Sequence, residues 1–323
     1  MTFDQINAEM ARKQDLLNGV WAAVLTPMYA NLSCNYEQLS AHCFDMIANG
    51  CAGVVLFGTT GEGPSFSVAE RKEALEKLVS LGFDPKKIIL GNGSSCILDT
   101  VALARETLRY HATFLVAPPC YYKNVSDDGV IAFYREVIQR VADPKLRILL
   151  YHIPQMTGVP ISLQVVRSLC REFPDIVIGI KESEGNLSLT RKILEELPHF
   201  KVFVAKGTQI IEATQSGGAG AICGMASLYP ELICSLYQQG LKANVPNPKI
   251  LSAITQAFEG IPFIPAAKAL MEKRQGVVWH AVRPPLAPLH DDQKRAFFSN
   301  LDGGESCTFS VTESYNQPPL TGP

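Results

Sequence analysis

Lys181 ends the run Ile176-Val-Ile-Gly-Ile-Lys181-Glu-Ser183, in which β-branched residues read as a buried strand that stops at a single amine. An ammonium at the mouth of an apolar strand is costly to desolvate, so the neutral amine is favoured there, and a neutral amine attacks a carbonyl to form an imine. The plainer reading is a lysine that leaves the sheet and reaches for solvent. Tyr151 ends another apolar run, Arg147-Ile-Leu-Leu-Tyr151, and His152-Ile-Pro154 follows it. A phenol beside an amine can relay protons while a carbinolamine forms and dehydrates. Two more phenols, Tyr121 and Tyr122, follow Pro118-Pro-Cys120. The stretch Gly58-Thr-Thr-Gly-Glu-Gly63 joins the hydroxyls of Thr59 and Thr60 to glycines, Gly61 among them, whose backbone N–H groups can approach a small carboxylate. Taken singly, the glycine stretch also reads as an ordinary tight turn, and each tyrosine as a packed ring with a wet tip. The glycine spacing is not that of a dinucleotide turn, and no Gly-Lys-Ser/Thr follows, so nucleotide binding is a poor fit.

Eight short apolar runs set the positions of these groups: Val20–Leu25, Gly53–Phe57, Lys87–Gly91, Ala112–Val116, Arg147–Tyr151, Ile176–Lys181, Lys201–Ala205 and Gly220–Cys223. Helical periodicity falls between them over 37–49, 67–81, 97–110, 127–141, 162–172, 187–196, 208–216 and 229–240, with N-cap signals at Ser67 (Glu70 three residues on) and Ser126. Alternation of this kind over ~220 residues predicts an α/β chain folded as a (β/α)8 TIM barrel. An open doubly wound sheet is the competing arrangement, but it would carry a glycine-rich turn where this chain has Leu25-Thr-Pro-Met28. In a barrel the reacting groups sit at the carboxyl ends of the strands, and strands five and six lie ~4.8 Å apart, so Tyr151 and Lys181 should face each other. The expected organisation is an N-terminal helical extension over 1–18, from the spacing of Phe3, Ile6, Met10, Lys13 and Leu17, then the barrel over 19–241. A C-terminal helical appendage over 242–301 follows, with helices at 247–259, 264–275 and 291–300, and an irregular tail over 302–323.

With 47% hydrophobic and 19% charged residues the chain can bury a large core, and 29 basic against 31 acidic side chains leave no signal for nucleic acid or an anionic membrane. Small molecules are the expected partners. No apolar span reaches transmembrane length, and Met1-Thr-Phe-Asp-Gln5 lacks the layout of a signal peptide, so a cytoplasmic protein is expected. Nine scattered cysteines read as reduced core residues, and six histidines form no ligand grouping, so no metal is expected.

In order and spacing, Gly58-Thr-Thr-Gly-Glu62, Tyr151-His-Ile-Pro154 and Gly179-Ile-Lys-Glu182 resemble the dihydrodipicolinate synthase and N-acetylneuraminate lyase family of class I, Schiff-base-forming, pyruvate-dependent aldolases. The resemblance runs from about residue 19 to about residue 300 and includes Arg283-Pro-Pro-Leu-Ala-Pro288. It implies that Lys181 forms the imine with pyruvate, that Tyr151 transfers protons, and that Thr59 and Thr60, with Gly61, serve the relay and the pyruvate carboxylate. It also implies a tyrosine donated by a neighbouring subunit, Tyr121 or alternatively Tyr122, and hence a homodimer or homotetramer. Gly207 and Ile222 resemble positions that close over pyruvate with backbone groups, and neither a metal nor an organic cofactor is required.

Met156 stands where the dihydrodipicolinate-forming branch has an arginine, and a thioether cannot replace a bidentate cationic fork. Gly207-Thr-Gln209 lacks the acidic pair of the sialate-cleaving branch. The stretches around Gly58 and Arg283 are closer to the branch acting on 2-keto-3-deoxy sugar acids, so the expected activity is aldol cleavage of such an acid to pyruvate and an aldehyde. Two alternatives stay open: a 4-hydroxy-tetrahydrodipicolinate synthase that reads its aldehyde through Lys206 or Lys123, and a non-catalytic keto-acid-binding barrel. His152 is expected to give a supporting hydrogen bond.

Overall fold

The apolar runs pair in chain order as parallel strands, and the eighth returns to the first. In the computed structural model, which describes residues 17–242 and 249–305, they are β1 (Gly19–Ala23), β2 (Gly53–Leu56), β3 (Ile88–Asn92), β4 (Thr113–Val116), β5 (Ile148–His152), β6 (Val177–Glu182), β7 (Lys201–Val204) and β8 (Gly220–Cys223), closed into one barrel. Each strand leads to a helix: α1 (Tyr36–Ala48), α2 (Val68–Ser80), α3 (Ile97–Arg109), α4 (Asp127–Val141), α5 (Leu163–Glu172), α6 (Leu187–Glu196), α7 (Ile210–Gln215) and α8 (Pro230–Lys242). The expected (β/α)8 barrel is therefore present. Helix starts follow local chemistry. Ser67 and Glu70 form a reciprocal capping box, and Ser126 accepts the N–H of Gly129.

Period-two alternation sorts the strand side chains. Trp21, Val55, Ile89, Leu115, Leu149 and Phe203 fill the barrel interior, while Val54, Leu90, Phe114, Leu150 and Val202 face the helices. The Trp21 ring occupies the space over Gly53, where an added Cβ would sit 2.2 Å from a ring carbon. Between β5 and β6 the register shifts: Ile148 pairs with Val177, but Leu149 pairs with Gly179 and Tyr151 with Lys181. Were Ile178 paired in regular register instead of bulged, Tyr151 would sit opposite Ile180 and the lysine would turn toward the helices. Gly179 admits this packing because an added Cβ would lie 2.3 Å from the Lys201 carbonyl oxygen.

After the barrel come α9 (Lys249–Ala257), α10 (Phe263–Gln275) and α11 (Asp291–Glu305). Ile254, Leu270, Trp279 and Phe297 of this appendage cluster with Leu25 and Leu228, which follow β1 and β8, so the appended helices lie over the carboxyl end of the barrel. Helix α11 continues through Asp302-Gly-Gly-Glu305, into the stretch expected to be irregular, because each residue added to a formed helix gains one more hydrogen bond. The helix expected over 1–17 and the tail beyond Glu305 lie outside the described residues, apart from Leu17.

The eight cysteines among the described residues are free thiols; Cys34, Cys43, Cys51, Cys170 and Cys223 are buried, whereas Cys96 and Cys120 are exposed. These last two correct the expectation of core residues: they sit in the loops after β3 and β4 rather than on packed faces. Among the described residues no helix is long and apolar enough to cross a membrane.

Candidate active site

The β5–β6 register brings the two expected groups together. Lys181 is 4% exposed and Tyr151 5% exposed, and both point into the barrel at its carboxyl end. Lys181 Nζ donates to Tyr151 Oη at 3.2 Å and lies 4.3 Å from the ring centroid. Tyr151 Oη in turn shares a hydrogen bond of 3.1 Å with Thr59 Oγ1. Amine, phenol and hydroxyl thus form an unbroken chain along which a proton can pass.

Thr59 and Thr60 belong to a turn folded on itself: Glu62 N–H donates to Thr59 O, Gly63 N–H to Gly58 O, and Thr26 Oγ1 to Gly61 O. No room exists for a side chain at Gly63, whose added Cβ would lie 1.9 Å from Phe57 O. The N–H groups of Thr60 and Gly61 donate to no protein atom among the described residues, so beside the two hydroxyls they form a concave donor set suited to a carboxylate. Thr60 Oγ1 reaches across to the residue that follows β8, Gly224, where an added Cβ would lie 2.9 Å from it.

The turn is held from behind by residues that the sequence reading did not assign. Glu62 adopts a left-handed φ of 55°, a conformation that costs a non-glycine residue about 1–3 kcal/mol and persists where the surroundings over-determine it. Its fully buried carboxylate accepts from Lys268 Nζ at 2.6 Å and from the Arg283 N–H at 3.0 Å, and Lys268 also donates to Ala281 O at 2.6 Å. Burial pulls the Lys268 ammonium below its ordinary pKa, outweighing the attraction of Glu62. The Arg283 guanidinium bonds Leu32 O, Ser65 O and Glu70, and stacks 3.9 Å from the Phe66 ring centroid. Through that pairing it holds the Glu70 carboxyl at about 2. A signal for Lys268 was available: it is one lysine inside the apolar stretch Ala266-Ala-Lys-Ala-Leu270.

The remaining expected residues divide. Gly207 is buried at the first residue after β7's loop, with an added Cβ 2.9 Å from Leu251, and Ile222 is buried on β8 opposite Trp21. Tyr121 and Tyr122 lie apart from their own chain's site: they are 79% and 73% exposed, with rings edge to face at 5.4 Å. Met156, 65% exposed on the helical turn Pro154–Thr157, lines a cavity of about 270 Å³ that Thr59 and Tyr151 also line. Lys123 does not enter this cavity's lining; its ammonium is bound by the carbonyl oxygens of Cys120 and Thr157. Lys206 is exposed and runs along Gly185.

His152, Glu182 and Glu184 place one ligand atom each within 4.8 Å of one another, the spacing of a metal site. Hydrogen bonding argues against that use. His152 Nδ1 accepts the Ile161 N–H at 3.0 Å, which leaves the proton of the neutral ring on Nε2, 3.3 Å from Glu184. Both Glu182 oxygens already accept from the Gly185 N–H. His152 is therefore a strut between the loops that follow β5 and β6.

A profile of the dihydrodipicolinate synthetase family matches residues 16–302. An uncharacterized DapA-like lyase from Chloroflexus aurantiacus is 32% identical over 284 residues, covering 86% of this chain and 94% of that protein. The crystal structure of dihydrodipicolinate synthase from Agrobacterium tumefaciens superposes with a TM-score of 0.83 at 32% identity, over 90% of this chain and 99% of that one. A 2-keto-3-deoxygluconate aldolase variant from Sulfolobus solfataricus superposes with a TM-score of 0.80 over 90% of this chain and 97% of that one, and at 20% identity it shows the fold alone.

Proposed function

The chain belongs to the dihydrodipicolinate synthetase family and is a lyase, and we propose that it cleaves a 2-keto-3-deoxy acid, such as a sugar acid, to pyruvate and an aldehyde through a Schiff base on Lys181. The observation that carries this reading is the Lys181–Tyr151–Thr59 chain, with links of 3.2 and 3.1 Å. Lys181 Nζ attacks C2 of the keto acid, Tyr151 passes a proton to the departing hydroxyl, and water leaves as the C=N bond forms. The C4 hydroxyl then gives its proton to the Tyr151–Thr59 pair, the C3–C4 bond breaks, and its electron pair moves toward the iminium nitrogen to leave an enamine. Protonation at C3 and hydrolysis release pyruvate and restore the amine. In this reading the free N–H groups of Thr60 and Gly61 hold the carboxylate, and Gly207 and Ile222 close over it. Tyr121, or Tyr122, completes the relay of a second copy in a homodimer or homotetramer, which is consistent with the exposure of both in one chain. Free thiols support a cytoplasmic site of action.

Pyruvate released from a panel of 2-keto-3-deoxy acids, followed by a coupled assay, tests the proposal; turnover of at least one is expected, and silence across the panel overturns it. Condensation of pyruvate with aspartate semialdehyde is a second reading, favoured by the 32% identity to the Agrobacterium synthase. Against it stand Met156 in place of an arginine and the engagement of Lys123 by two carbonyls. A non-catalytic barrel would form the pyruvate adduct and turn over no aldehyde.

A further inference from the structure

We propose that the half of the substrate released as the aldehyde is electrically neutral, and that the site rejects aldehydes bearing a phosphate, carboxylate or ammonium group. The inference rests on the Schiff-base reading and names the substrate class of that same site. The reacting carbon beyond the imine must come within reach of Tyr151 Oη, and Tyr151 and Thr59 both open onto the cavity of about 270 Å³. Its walls include the carbon surfaces of Pro64, Pro118, Ile153 and Met156, with Ser95 and Cys120 as polar neighbours. Among the described residues that line it there is no lysine, arginine, histidine, aspartate or glutamate. A charged group seated there would shed water without meeting a charged side chain to pair with directly.

The neutrality is built in. Lys123 is near enough to donate to Cys120 O, yet its N–H donors are directed at that oxygen and Thr157 O, tying the loop after β4 to the turn after β5 and leaving the ammonium behind the cavity wall rather than in its lining. Ser95 accepts the Cys120 N–H at 3.1 Å and lies 3.4 Å from Cys120 Sγ, which joins the loops after β3 and β4. Gln155 donates to Ser183 O at 2.7 Å and anchors the turn that carries Met156. These ties hold the walls in place before substrate arrives. A Tyr121 donated by a second copy would add a phenol and no charge. As to size, an apolar cavity of about 150 Å³ takes a benzene, so the larger space accommodates a three- to seven-carbon aldehyde.

The test uses the full chain in the condensation direction, with pyruvate and four aldehydes: glyceraldehyde and benzaldehyde as neutral probes, glyceraldehyde 3-phosphate and aspartate semialdehyde as charged ones. The pyruvate adduct trapped by borohydride is measured in parallel. At least one neutral aldehyde is expected to exceed both charged ones in kcat/KM by about 100-fold or more. A charged aldehyde within tenfold of the best neutral one overturns the inference while the trapped adduct leaves the enzyme class standing. A trapped adduct with no turnover of either neutral aldehyde overturns it as well. Absence of the adduct removes the Schiff-base reading and the inference with it. Met156→Arg supplies the missing cation and is expected to raise aspartate semialdehyde relative to the neutral aldehydes by about tenfold. An unchanged ratio overturns the assignment of this cavity as the aldehyde's seat.

Discussion

Removing the Lys268 ammonium should destabilise the protein and loosen the turn that bears Thr59 and Thr60 together. Lys268 is fully buried, and its Nζ bonds Glu62 Oε1 and Ala281 O at 2.6 Å each. In Lys268→Met the Glu62 carboxylate keeps one described partner, the Arg283 N–H at 3.0 Å, and stays buried with an uncompensated charge. Breaking a buried pair from one side costs about 3–5 kcal/mol, a large share of the stability of a domain. Burial depresses the Lys268 pKa in spite of the carboxylate, and the attraction within a buried pair commonly falls short of its desolvation cost. Neutralising both partners should therefore hurt less than neutralising one, and Lys268→Met/Glu62→Gln should recover about half of the loss or more. Glu62 also holds the turn bearing Thr59 and Thr60, so Lys268→Met should lower kcat/KM for pyruvate by about 10- to 100-fold. Urea unfolding of the four proteins of the cycle, with pyruvate kinetics on each, reads both effects. A single variant within about 1 kcal/mol of the parent, the value of an exposed pair, would refute the reasoning, as would a double variant no more stable than the single.

Tyr151→Phe removes the phenolic link to Lys181 Nζ and Thr59 Oγ1 while keeping the ring, and turnover should fall by about 10²- to 10⁴-fold with little change in the unfolding midpoint. His42 is buried against Ser227 Oγ at 2.8 Å and the edge of Trp279, and burial lowers its pKa to about 4 from an ordinary 6.5. Between those values the unfolded chain binds the extra proton, so stability present above pH 6.5 is lost as the pH falls toward 4, by roughly 3 kcal/mol in all. Urea midpoints measured across that window should slope less in His42→Gln, and an identical slope would count against the buried neutral ring. Gly53→Ala places a methyl group against the Trp21 ring and should cost about 1–3 kcal/mol, read as a lowered melting temperature; an unshifted one would contradict the interior packing.

What the sequence made legible was local. Alternation with period two and helical spacing are written in neighbouring residues, so the strand-helix rhythm, the Ser67 and Ser126 caps, and the placing of Tyr151 and Lys181 at strand ends could all be read directly. Adjacency of β5 and β6 followed from the barrel. The bulge at Ile178, which leaves Lys181 facing inward, has no composition signal, because Val-Ile-Gly-Ile reads as a regular strand. The Glu62–Lys268 pair spans 206 residues, and no spacing rule links such distant positions. Glu62 passed as one more turn residue for the same reason. Exposure of Cys96 and Cys120 was misjudged from their neighbours, since loop residues beside apolar ones still face solvent. Whether Tyr121 meets the site of a second copy depends on an assembly, which a single chain does not contain.

The central claim is that one buried amine captures a keto acid covalently. Borohydride reduction in the presence of pyruvate, followed by peptide mass mapping, tests it most directly. One reduced pyruvate is expected on the peptide containing Lys181, and none in Lys181→Arg, which keeps the charge and cannot form the imine. A peptide that keeps its unmodified mass, or an adduct that persists in the arginine variant, would contradict it.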